Sequence, residues 1–442
     1  MSYFPTYVAV AKSDSTIGIL ERPSWPKTII LGVQHTLAMF GGTILCPRLA
    51  GFDPNTSLFF SGIGTIIFFV ITAGRVPSYL GSSFAFLGST AAATGWTLGS
   101  PGINPNIPLA LGGIITCGIA YFLVGLLVTL AGHNWIEYLL PPVVTGSVIM
   151  AIGLNLSTVA INDASMTLDS PWQAAITAFI TASVTVFGRG LFGRLPVLVG
   201  LTIGFLLAII VAKLSGDPSR AIPLESIVEA KWLAVPNFYT PVFDIRAISI
   251  ITPVFIIQVA ENLGHIKAVG VITDVDLTPY LGKAFMGDAI ATIVSGCGGG
   301  LGLTTYAENI GVMAITNIFS TLVFIIAAFI SIVMGFIPKF GALISVIPPG
   351  VIGGLSIILF GLVTATGARI WIQNRIDFSD PVNLITAAVA IVLGSGMKSN
   401  NVIRFGDIIQ LDGLGAATIV TILVYFVFRR IPEMFTKNTD LA

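Results

Sequence analysis

Apolar stretches of about twenty residues recur along almost the whole chain, and this pattern constrains the fold more than any other feature. A helix that crosses a bilayer needs roughly that length. We count fourteen candidate stretches, centred near residues 38, 65, 88, 118, 150, 179, 204, 257, 289, 310, 327, 356, 387 and 421. The sequence therefore predicts an all-α polytopic membrane protein with fourteen transmembrane segments, numbered here 1 to 14.

The composition excludes a soluble domain, because only 10% of the 442 residues are charged and soluble proteins carry about 25%. Basic and acidic residues balance at 21 each, which indicates no nucleic-acid partner. The cysteines (Cys46, Cys117 and Cys297) lack the spacing of a metal site and are predicted to be small core residues. Residues 1–27 lack a signal-peptide pattern, so we expect segment 1 itself to direct insertion.

Basic residues predict which side the loops face. An even number of segments puts both termini on one side, which we take to be the cytoplasm. Thirteen of the 21 basic residues then face inward, as the positive-inside rule favours. They are Lys12, Arg22, Lys27, Arg75, Arg189, Arg194, Lys267, Lys283, Arg369, Arg375, Arg429, Arg430 and Lys437.

The two halves of the chain resemble each other. The segment that begins at Pro141 is similar to the one that begins at Pro348, and each opens a predicted span, the fifth and the twelfth. Seven spans separate the two, and an odd number of crossings reverses the direction of the chain. The sequence therefore predicts two inverted repeats of seven segments.

Segments 3 and 10 occupy matching places in the repeats and are interrupted by small, hydroxylated and β-favouring residues, at 81–86 and 304–309. Paired interrupted spans are the best sequence pointer to a transporter's binding site. Non-helical backbone survives at membrane depth only when it is buried in protein or lines a cavity. The alternative is that Gly81 and Gly298–Gly300 are only loop or close-packing glycines.

Acids occur inside these apolar stretches, where an ionised side chain costs at least ~2.5 kcal/mol, so they mark a candidate site. Glu261 and His265 are four residues apart and share one face of a helical segment 8. Glu308 lies in the interrupted segment 10.

These side chains suit a neutral nucleobase or a similar imide. A carboxylate accepts from ring N–H groups, while His265 or a backbone N–H donates to a carbonyl. Phe84 can cover the flat face of the ring, with its own N–H freed by the chain break. Glutamates in a low-dielectric pocket can also carry a coupling proton.

Each residue also has a structural alternative. Glu261 can simply pair with His265, and Glu308 can cap a half-helix that starts at Asn309. His265 and Phe84 can be ordinary core residues. His35 in segment 1 is expected to be a structural hydrogen-bonding residue, and Asp288 in segment 9 a supporting partner for the broken segment.

The chain resembles the nucleobase–ascorbate transporter family, especially its bacterial uracil permeases, from about Pro23 to Arg430. The signature is an acid or glutamine, Asn, any residue, Gly, four residues, Thr, then usually a basic residue or glycine. The chain departs from it only at Asn317. The matching segments are 308–317, Gln34–His35, 81–86 and 260–265.

The resemblance implies a core domain (segments 1–4 and 8–11) that holds the substrate and a gate domain (5–7 and 12–14) that mediates dimer contact. It also implies short antiparallel strands in segments 3 and 10. The implied ranges are 1–27 for a cytoplasmic N-terminal segment, 28–134 and 247–338 for the core, 135–246 and 339–430 for the gate, and 431–442 for a cytoplasmic tail.

The resemblance also implies roles for single residues. Glu261 and Glu308 would be the substrate carboxylates, and His265 would contact the base or its water. Phe84 and Ala307 would supply backbone N–H groups around a carbonyl.

Tyr306 would neighbour the site. Apart from the resemblance, we expect His35, Asp288 and Asn309 to support the site or the proton path. Glu308, where purine-selective relatives commonly have glutamine, favours uracil, because a carboxylate only accepts hydrogen bonds.

Our leading hypothesis is a proton-coupled uracil symporter of the inner membrane, a non-enzyme without metal or cofactor, whose core moves against the gate. We expect both termini to be cytoplasmic and the partners to be uracil, the lipid bilayer and a second copy of the chain joined through the gate.

Alternatives are a xanthine or broader pyrimidine carrier, or an anion channel or exchanger on a related fold. The last would favour a basic residue near the broken segments, yet no Lys or Arg lies between Lys283 and Lys339. A membrane hydrolase lacks a candidate set of catalytic residues.

Overall fold

The structure is a computed structural model that describes residues 4–10, 16–190, 192–217, 220–397, 402–405 and 409–431. The predicted tail lies outside these residues except for its first position, as do parts of the predicted N-terminal segment. The described residues form eighteen α-helices. They are α1 (Trp25–Ala50), α2 (Pro54–Ile71), α3 (Phe86–Thr94), α4 (Ile107–Ala131), α5 (Asn134–Leu139), α6 (Pro142–Ser165), α7 (Ser170–Phe187), α8 (Pro196–Ser215), α9 (Glu225–Glu229), α10 (Ile245–Ile251), α11 (Val254–Thr273), α12 (Leu281–Gly298), α13 (Ala307–Thr316), α14 (Thr321–Gly335), α15 (Pro338–Ser345), α16 (Pro349–Gln373), α17 (Pro381–Gly396) and α18 (Gly413–Tyr425).

Prolines and aspartates mark many helix starts. Pro142 and Pro349 begin α6 and α16, as the similar proline pairs of the two halves predict. A proline costs no hydrogen bond in the first turn, where its missing N–H would have no helical partner. Asp53 and Asp380 accept backbone N–H groups in the first turns of α2 and α17, which stabilises those helix ends.

Each of the fourteen predicted span centres falls within a helix. Among the described residues, however, only seven helical stretches are long and apolar enough to cross a membrane on their own. The number is eight if α14 and α15, which meet at 81°, form one bent span. The fold is mostly helical as predicted, and the count of fourteen crossings stays a prediction.

Three short strand pairs accompany the helices. The strands β3 (Leu80–Ser82) and β4 (Leu303–Thr305) are antiparallel, and they join the interrupted segments 3 and 10. The other pairs are β1 (Val8–Ala9) with β2 (Glu21–Arg22), which is parallel, and β5 (Val402–Phe405) with β6 (Ile409–Asp412), which is antiparallel.

Most long helices pack within one of two groups. In the α1 group, α1, α2, α4, α12 and α14 pack on one another, and in the α6 group, α6, α7, α8, α16, α17 and α18 do so. The groups lie within the predicted core and gate ranges, but packing alone does not show that they move as units.

Glycines allow close approach of backbones inside both groups. A Cβ atom at Gly367 of α16 would collide with the carbonyl of Gly146 in α6. A Cβ atom at Gly125 of α4 would lie 2.8 Å from the backbone nitrogen of Met286 in α12. Small residues at such crossings are typical of membrane helices, whose association depends on close packing.

Large apolar side chains cover the outer faces of several helices. Leu127 and Leu130 of α4 and Leu206, Ile210 and Leu214 of α8 are all exposed. A long apolar helix that shows such side chains outward has the surface expected in contact with lipid. These faces fit a multi-pass membrane protein.

Candidate functional site

The strands β3 and β4 bring the two interrupted segments together. Leu80 pairs with Thr305, Gly81 with Thr304, and Ser82 with Leu303. Each strand leads into a short helix, α3 or α13, so two helix N-termini begin beside the strand pair. Backbone N–H groups at helix N-termini are ready hydrogen-bond donors for a solute.

Tyr306 fixes the strand pair from one side. Its hydroxyl donates to the carbonyl of Ser82 at 2.9 Å. Its ring lies so close to Gly81 that a Cβ atom there would collide with it, and a Cβ atom at Gly42 of α1 would lie 3.1 Å from the ring. Tyr306 therefore lies against the strand pair, and its hydroxyl is occupied by the backbone of the other half.

Polar side chains of α11 and α12 hold β4 from the other side. The Thr292 hydroxyl lies 3.1 Å from both the nitrogen and the oxygen of Leu303, and Gln258 donates to the same carbonyl at 3.3 Å. Buried backbone groups need such partners. The sequence analysis missed both residues, although buried polar side chains inside apolar spans were the available signal.

Glu261 of α11 and Glu308 of α13 are close enough to interact electrostatically. Both side chains are partly buried. Glu261 lies beside Thr304, and its Oε2 atom is buried without a hydrogen-bond partner in the described part of the chain. The structure thus brings together two carboxylates that belong to separate segments, the eighth and the tenth.

One expectation about Glu308 was wrong in detail. The helix α13 begins at Ala307, two residues before the predicted start at Asn309, so Glu308 lies inside the first turn. The residue at the cap position is Tyr306, whose side chain makes no capping hydrogen bond. Glu308 still lies where the helix dipole favours a negative charge.

His265 is buried, and its Nδ1 atom lies 3.0 Å from the hydroxyl of Thr305 in β4. The alternative that it pairs with Glu261 finds no support, since none of the ion pairs among the described residues joins the two. Glu261 and His265, one helical turn apart on α11, instead lie beside the consecutive residues Thr304 and Thr305.

Asp288 of α12 is fully buried behind this contact. Asn262 of α11 donates to Asp288 Oδ2 and to the hydroxyl of Tyr121, the second at 3.0 Å. Asp288 also faces the backbone of Thr305 and the charge of Glu261. A supporting role of Asp288 for the broken segment stays a prediction, and Asn262 is a partner that was not predicted from the sequence.

His35 of α1 lies near Asn309, the second residue of the signature. The His35 ring packs edge-on against Phe324 at 4.8 Å between centroids. Asn309 is fully buried, and both polar atoms of its amide lack a hydrogen-bond partner among the described residues. Unpartnered buried polar groups are costly, so they indicate a site that a solute or water completes.

Phe84 lies just before α3, and its ring is 8% exposed. It packs edge-to-face on Phe360 of α16, with centroids 5.5 Å apart. Phe84 therefore joins the strand pair to the α6 group.

Two cavities lie at opposite ends of α6 and α16. The Lys267 cavity, of 840 Å³, is lined by the end of α11, by Pro142 at the start of α6 and by Gln373 at the end of α16. The Arg48 cavity, of 420 Å³, is lined by Arg48, by Met166 just after α6 and by Pro349 at the start of α16. Because α16 has 25 residues, these ends are separated by about 37 Å.

The Lys267 cavity reaches Gly264, the chain neighbour of His265, and so extends toward the carboxylates. At its mouth, the hydroxyl of Thr278 and then its N–H donate to Asp276 and hold the pKa of that exposed carboxyl below its usual value. Lys267 pairs with Glu137 at 3.2 Å. The Lys267 cavity thus approaches the site from this end.

Within the described ranges, no group of three or more His, Cys, Asp or Glu side chains could hold a metal ion. The candidate site consists of hydrogen-bond acceptors and donors around the strand pair β3–β4. Together with the apolar helices, it defines a membrane transport protein.

A sequence model of the Permease family (Xan_ur_permease) matches residues 26–402. The chain is 51% identical over 404 residues to the protein named "Putative pyrimidine permease RutG" of Escherichia coli (strain K12), covering 91% of this chain and 90% of that one. It is 38% identical to the uracil permease of Bacillus caldolyticus, covering 96% and 98%. It is 37% identical to the uracil permease of Escherichia coli (strain K12), covering 96% of each.

Solved structures share the fold at low sequence identity. The transmembrane domain of the cyanobacterial bicarbonate transporter BicA matches with a TM-score of 0.61 and 16% identity, covering 90% of this chain and 97% of that one. Murine Slc26a9, an anion transporter, matches with a TM-score of 0.64 and 8% identity, covering 95% and 69%. These likenesses show the fold alone.

The chain is a transporter and not an enzyme. It belongs to the Permease family, and the relatives with the greatest identity reported above are permeases named for uracil or pyrimidines. It is a multi-pass protein of the plasma membrane, as its apolar helices and its family indicate.

Proposed function

We propose that this chain is a proton-coupled symporter that imports uracil across the inner membrane. The observation that carries the proposal is the meeting of Glu261 and Glu308 beside the start of α13. The substrate class follows from relatives named uracil or pyrimidine permeases, which cover nearly the whole chain.

The hydrogen-bonding pattern of uracil fits these groups. Its ring presents N–H donors beside carbonyl acceptors. Glu261 and Glu308 accept from the ring N–H groups, and the N–H groups of Phe84 and Ala307, near the starts of α3 and α13, donate to a carbonyl. The Phe84 ring covers one face of the base, while His265, held by Thr305, orients the base or a bound water.

The same carboxylates supply a reason for proton coupling. Two negative charges near each other in a low-dielectric site repel, so a proton on one of them is favoured. A proton would bind a carboxylate from the outside and leave it to the inside. Uracil binding and release would then be coupled to this gain and loss of the proton. Asp288 with Asn262, and His35 with Asn309, are the groups that we propose to pass or support this proton.

Transport requires access to the site from each side in turn. We propose that the core, which contains the α1 group and the strand pair, moves against the gate, which contains the α6 group. The Lys267 cavity supports an inward-facing arrangement, since it extends toward Gly264 from the end that carries the predicted cytoplasmic loops. We further propose cytoplasmic termini and a homodimer through the gate domains.

A direct test is uptake of radiolabelled uracil by the purified protein in liposomes, with and without an imposed inward proton gradient. We expect the gradient to raise uptake several-fold and a protonophore to abolish the increase. Gradient-insensitive uptake of uracil would remove the proton coupling and leave the substrate assignment intact. Uptake that unlabelled uracil does not compete would remove the substrate assignment itself.

A broader pyrimidine carrier is the second candidate, because the relative at 51% identity is named for pyrimidines as a class. Competition by thymine and cytosine in the same assay separates the two. Inhibition by uracil alone would favour the narrow assignment, whereas comparable inhibition by all three bases would favour the broad one. Xanthine in the same series tests a purine carrier.

A further inference from the structure

A buried carboxylate far from the proposed uracil site lacks hydrogen bonds. Asp163, near the end of α6, is 1% exposed, and both of its oxygens lack a hydrogen-bond partner among the described residues. It lies against Gly99, where a Cβ atom would collide with its carboxylate. The Gly99 backbone has a φ of +82°, which side chains rarely adopt, so this loop is shaped for the contact.

The loop that receives Asp163 is attached to α1. The N–H of Gly99 donates to the carbonyl of Leu49 at 3.0 Å, and the indole of Trp96 donates to the same carbonyl at 3.1 Å. A side chain of the α6 group is therefore inserted into a surface that belongs to the α1 group.

Arg48 makes the reciprocal contact. It belongs to α1, yet its Nη2 atom donates to the carbonyl of Ile347 at 3.1 Å, two residues before α16. Its guanidinium and the Asp163 carboxylate interact electrostatically without being within ion-pair distance. Two opposite charges, each in contact with the other helix group, thus lie at the Arg48 cavity end of the molecule.

An ionised carboxylate without hydrogen bonds is expensive to bury. The nearby guanidinium offsets part of that cost only while the two groups remain together, because removing one partner leaves the other charge uncompensated. Separation of the α1 and α6 groups at this end would let water reach both charges. The attraction between the two charges therefore acts in the closed arrangement, and water screens it in the open one.

We propose that Arg48 and Asp163 form an electrostatic latch that keeps the Arg48 cavity end of the transporter closed while the Lys267 cavity is open. The proposal rests on the movement of core against gate described above. The latch does not contact the substrate, and its role is to set how often the Arg48 end opens.

Cys46 gives a direct readout of that opening. Its side chain is fully buried two residues before Arg48 in α1, and it lies near Glu261 and Tyr306. It thus lies between the latch and the proposed uracil site. The chain has three cysteines in all, so a background with Cys117→Ala and Cys297→Ala leaves one thiol.

The experiment measures the rate at which a small, charged, membrane-impermeant methanethiosulfonate modifies Cys46 in intact cells and in inside-out vesicles. In Asp163→Asn we expect the rate from the Arg48 side to rise about tenfold, the change that ~1.4 kcal/mol produces. Arg48→Met should raise it more, because it leaves Asp163 charged and uncompensated. The rate from the opposite side should not rise.

Matched controls come from the same cavity. Asp169 and Arg220 line it and pair with each other at 3.3 Å, with Asp169 directly before α7 and Arg220 in the loop after α8. This pair lies wholly on the side of the α6 group, so Asp169→Asn and Arg220→Met should leave the labelling rate unchanged. The same rise in these controls would mean that any lost charge loosens the cavity, and the latch would be rejected.

The double variant Arg48→Met with Asp163→Asn should label more slowly than Arg48→Met alone, because it no longer buries an isolated charge. If the free-energy effects of the two single substitutions simply add in the double variant, the pairing is contradicted. An unchanged rate in both single variants would overturn the latch.

Labelling needs neither uracil nor a proton gradient, so its outcome is separable from the transport proposal. Normal proton-driven uptake with unchanged labelling would remove the latch alone. Faster labelling in a protein that does not take up uracil would keep the latch and remove the transport assignment. Elution of each variant as a single species on gel filtration, with a melting temperature near that of the background, controls for folding.

Discussion

The two interrupted segments occupy matching places in the chain but carry different chemistry. The β3–α3 segment has no charged residue between Leu80 and Thr94, whereas β4–α13 contains Glu308 and is flanked by Glu261 and Asp288 from neighbouring helices. The first contributes backbone, small residues and the Phe84 ring, and the second contributes acceptors. The proposed site would therefore be asymmetric, with one segment shaping the pocket and the other supplying the charge.

The largest effect should come from the charged half. We expect Glu308→Gln to reduce uracil uptake by about ten- to a hundredfold, because a charge-assisted hydrogen bond contributes roughly 1.5–3 kcal/mol. Initial rates of labelled uptake measure it, and the melting temperature of the purified protein checks folding. Normal uracil uptake by this variant would show that Glu308 is not a substrate ligand.

Glu261→Ala tests the second acceptor on α11. Uracil affinity should fall at least tenfold, equivalent to ~1.4 kcal/mol, from one lost charge-assisted hydrogen bond. Calorimetric titration of the detergent-solubilised protein measures it. Glu137→Ala is the control, since Glu137 lines the Lys267 cavity but pairs with Lys267 at its mouth. Equal losses in both variants would argue against a specific role for Glu261.

In the uncharged β3–α3 segment, we expect substitutions to act by disturbing the packing. A methyl group at Gly81 would collide with the Tyr306 ring, so Gly81→Ala should lower the free energy of unfolding by about 1–3 kcal/mol. Gly311 in α13 is exposed and has no neighbouring atom in the way, so Gly311→Ala should be neutral or slightly stabilising. Thermal unfolding of the two variants compares the halves, and similar midpoints would contradict the packing described at Gly81.

The smallest effect should come from the aromatic contact. Phe84→Leu keeps an apolar cover but loses the aromatic face that we propose to stack on the base, and an aromatic contact is worth about 0.5–1.5 kcal/mol. We therefore expect a two- to tenfold loss of uracil affinity in the same calorimetric assay. Phe324→Leu, which alters an aromatic contact of His35, is the matched control. A loss as large as that of Glu308→Gln would mean that stacking dominates binding.

Runs of apolar residues were sufficient to place helices, because burial in lipid depends on the local run of apolar residues. All fourteen centres fall in helices. The interruption of the helix in segment 10 was also predictable from its residue types. Its extent was not, since α13 begins at Ala307 and helix ends depend on partners outside the helix.

Contacts between distant residues were beyond a local sequence pattern. His265 meets Thr305 40 residues away, and Asn262 meets Asp288 26 residues away. Which side chain faces which depends on the rotation of α11 against β4 and α12, and packing sets this rotation. His265 and Asp288 were predicted from the sequence, but Asn262 and Thr305 were not.

The contact between Phe84 and Phe360 has a consequence for the size of ligands. Phe84 covers the proposed pocket, while Phe360 belongs to the opposing helix group. A compact ring that stays beneath Phe84 can travel with the core, but a base that carries a bulky aryl substituent would touch both groups at once. We expect such a compound to bind without being transported. This aromatic pair would therefore separate transported substrates from inhibitors by size.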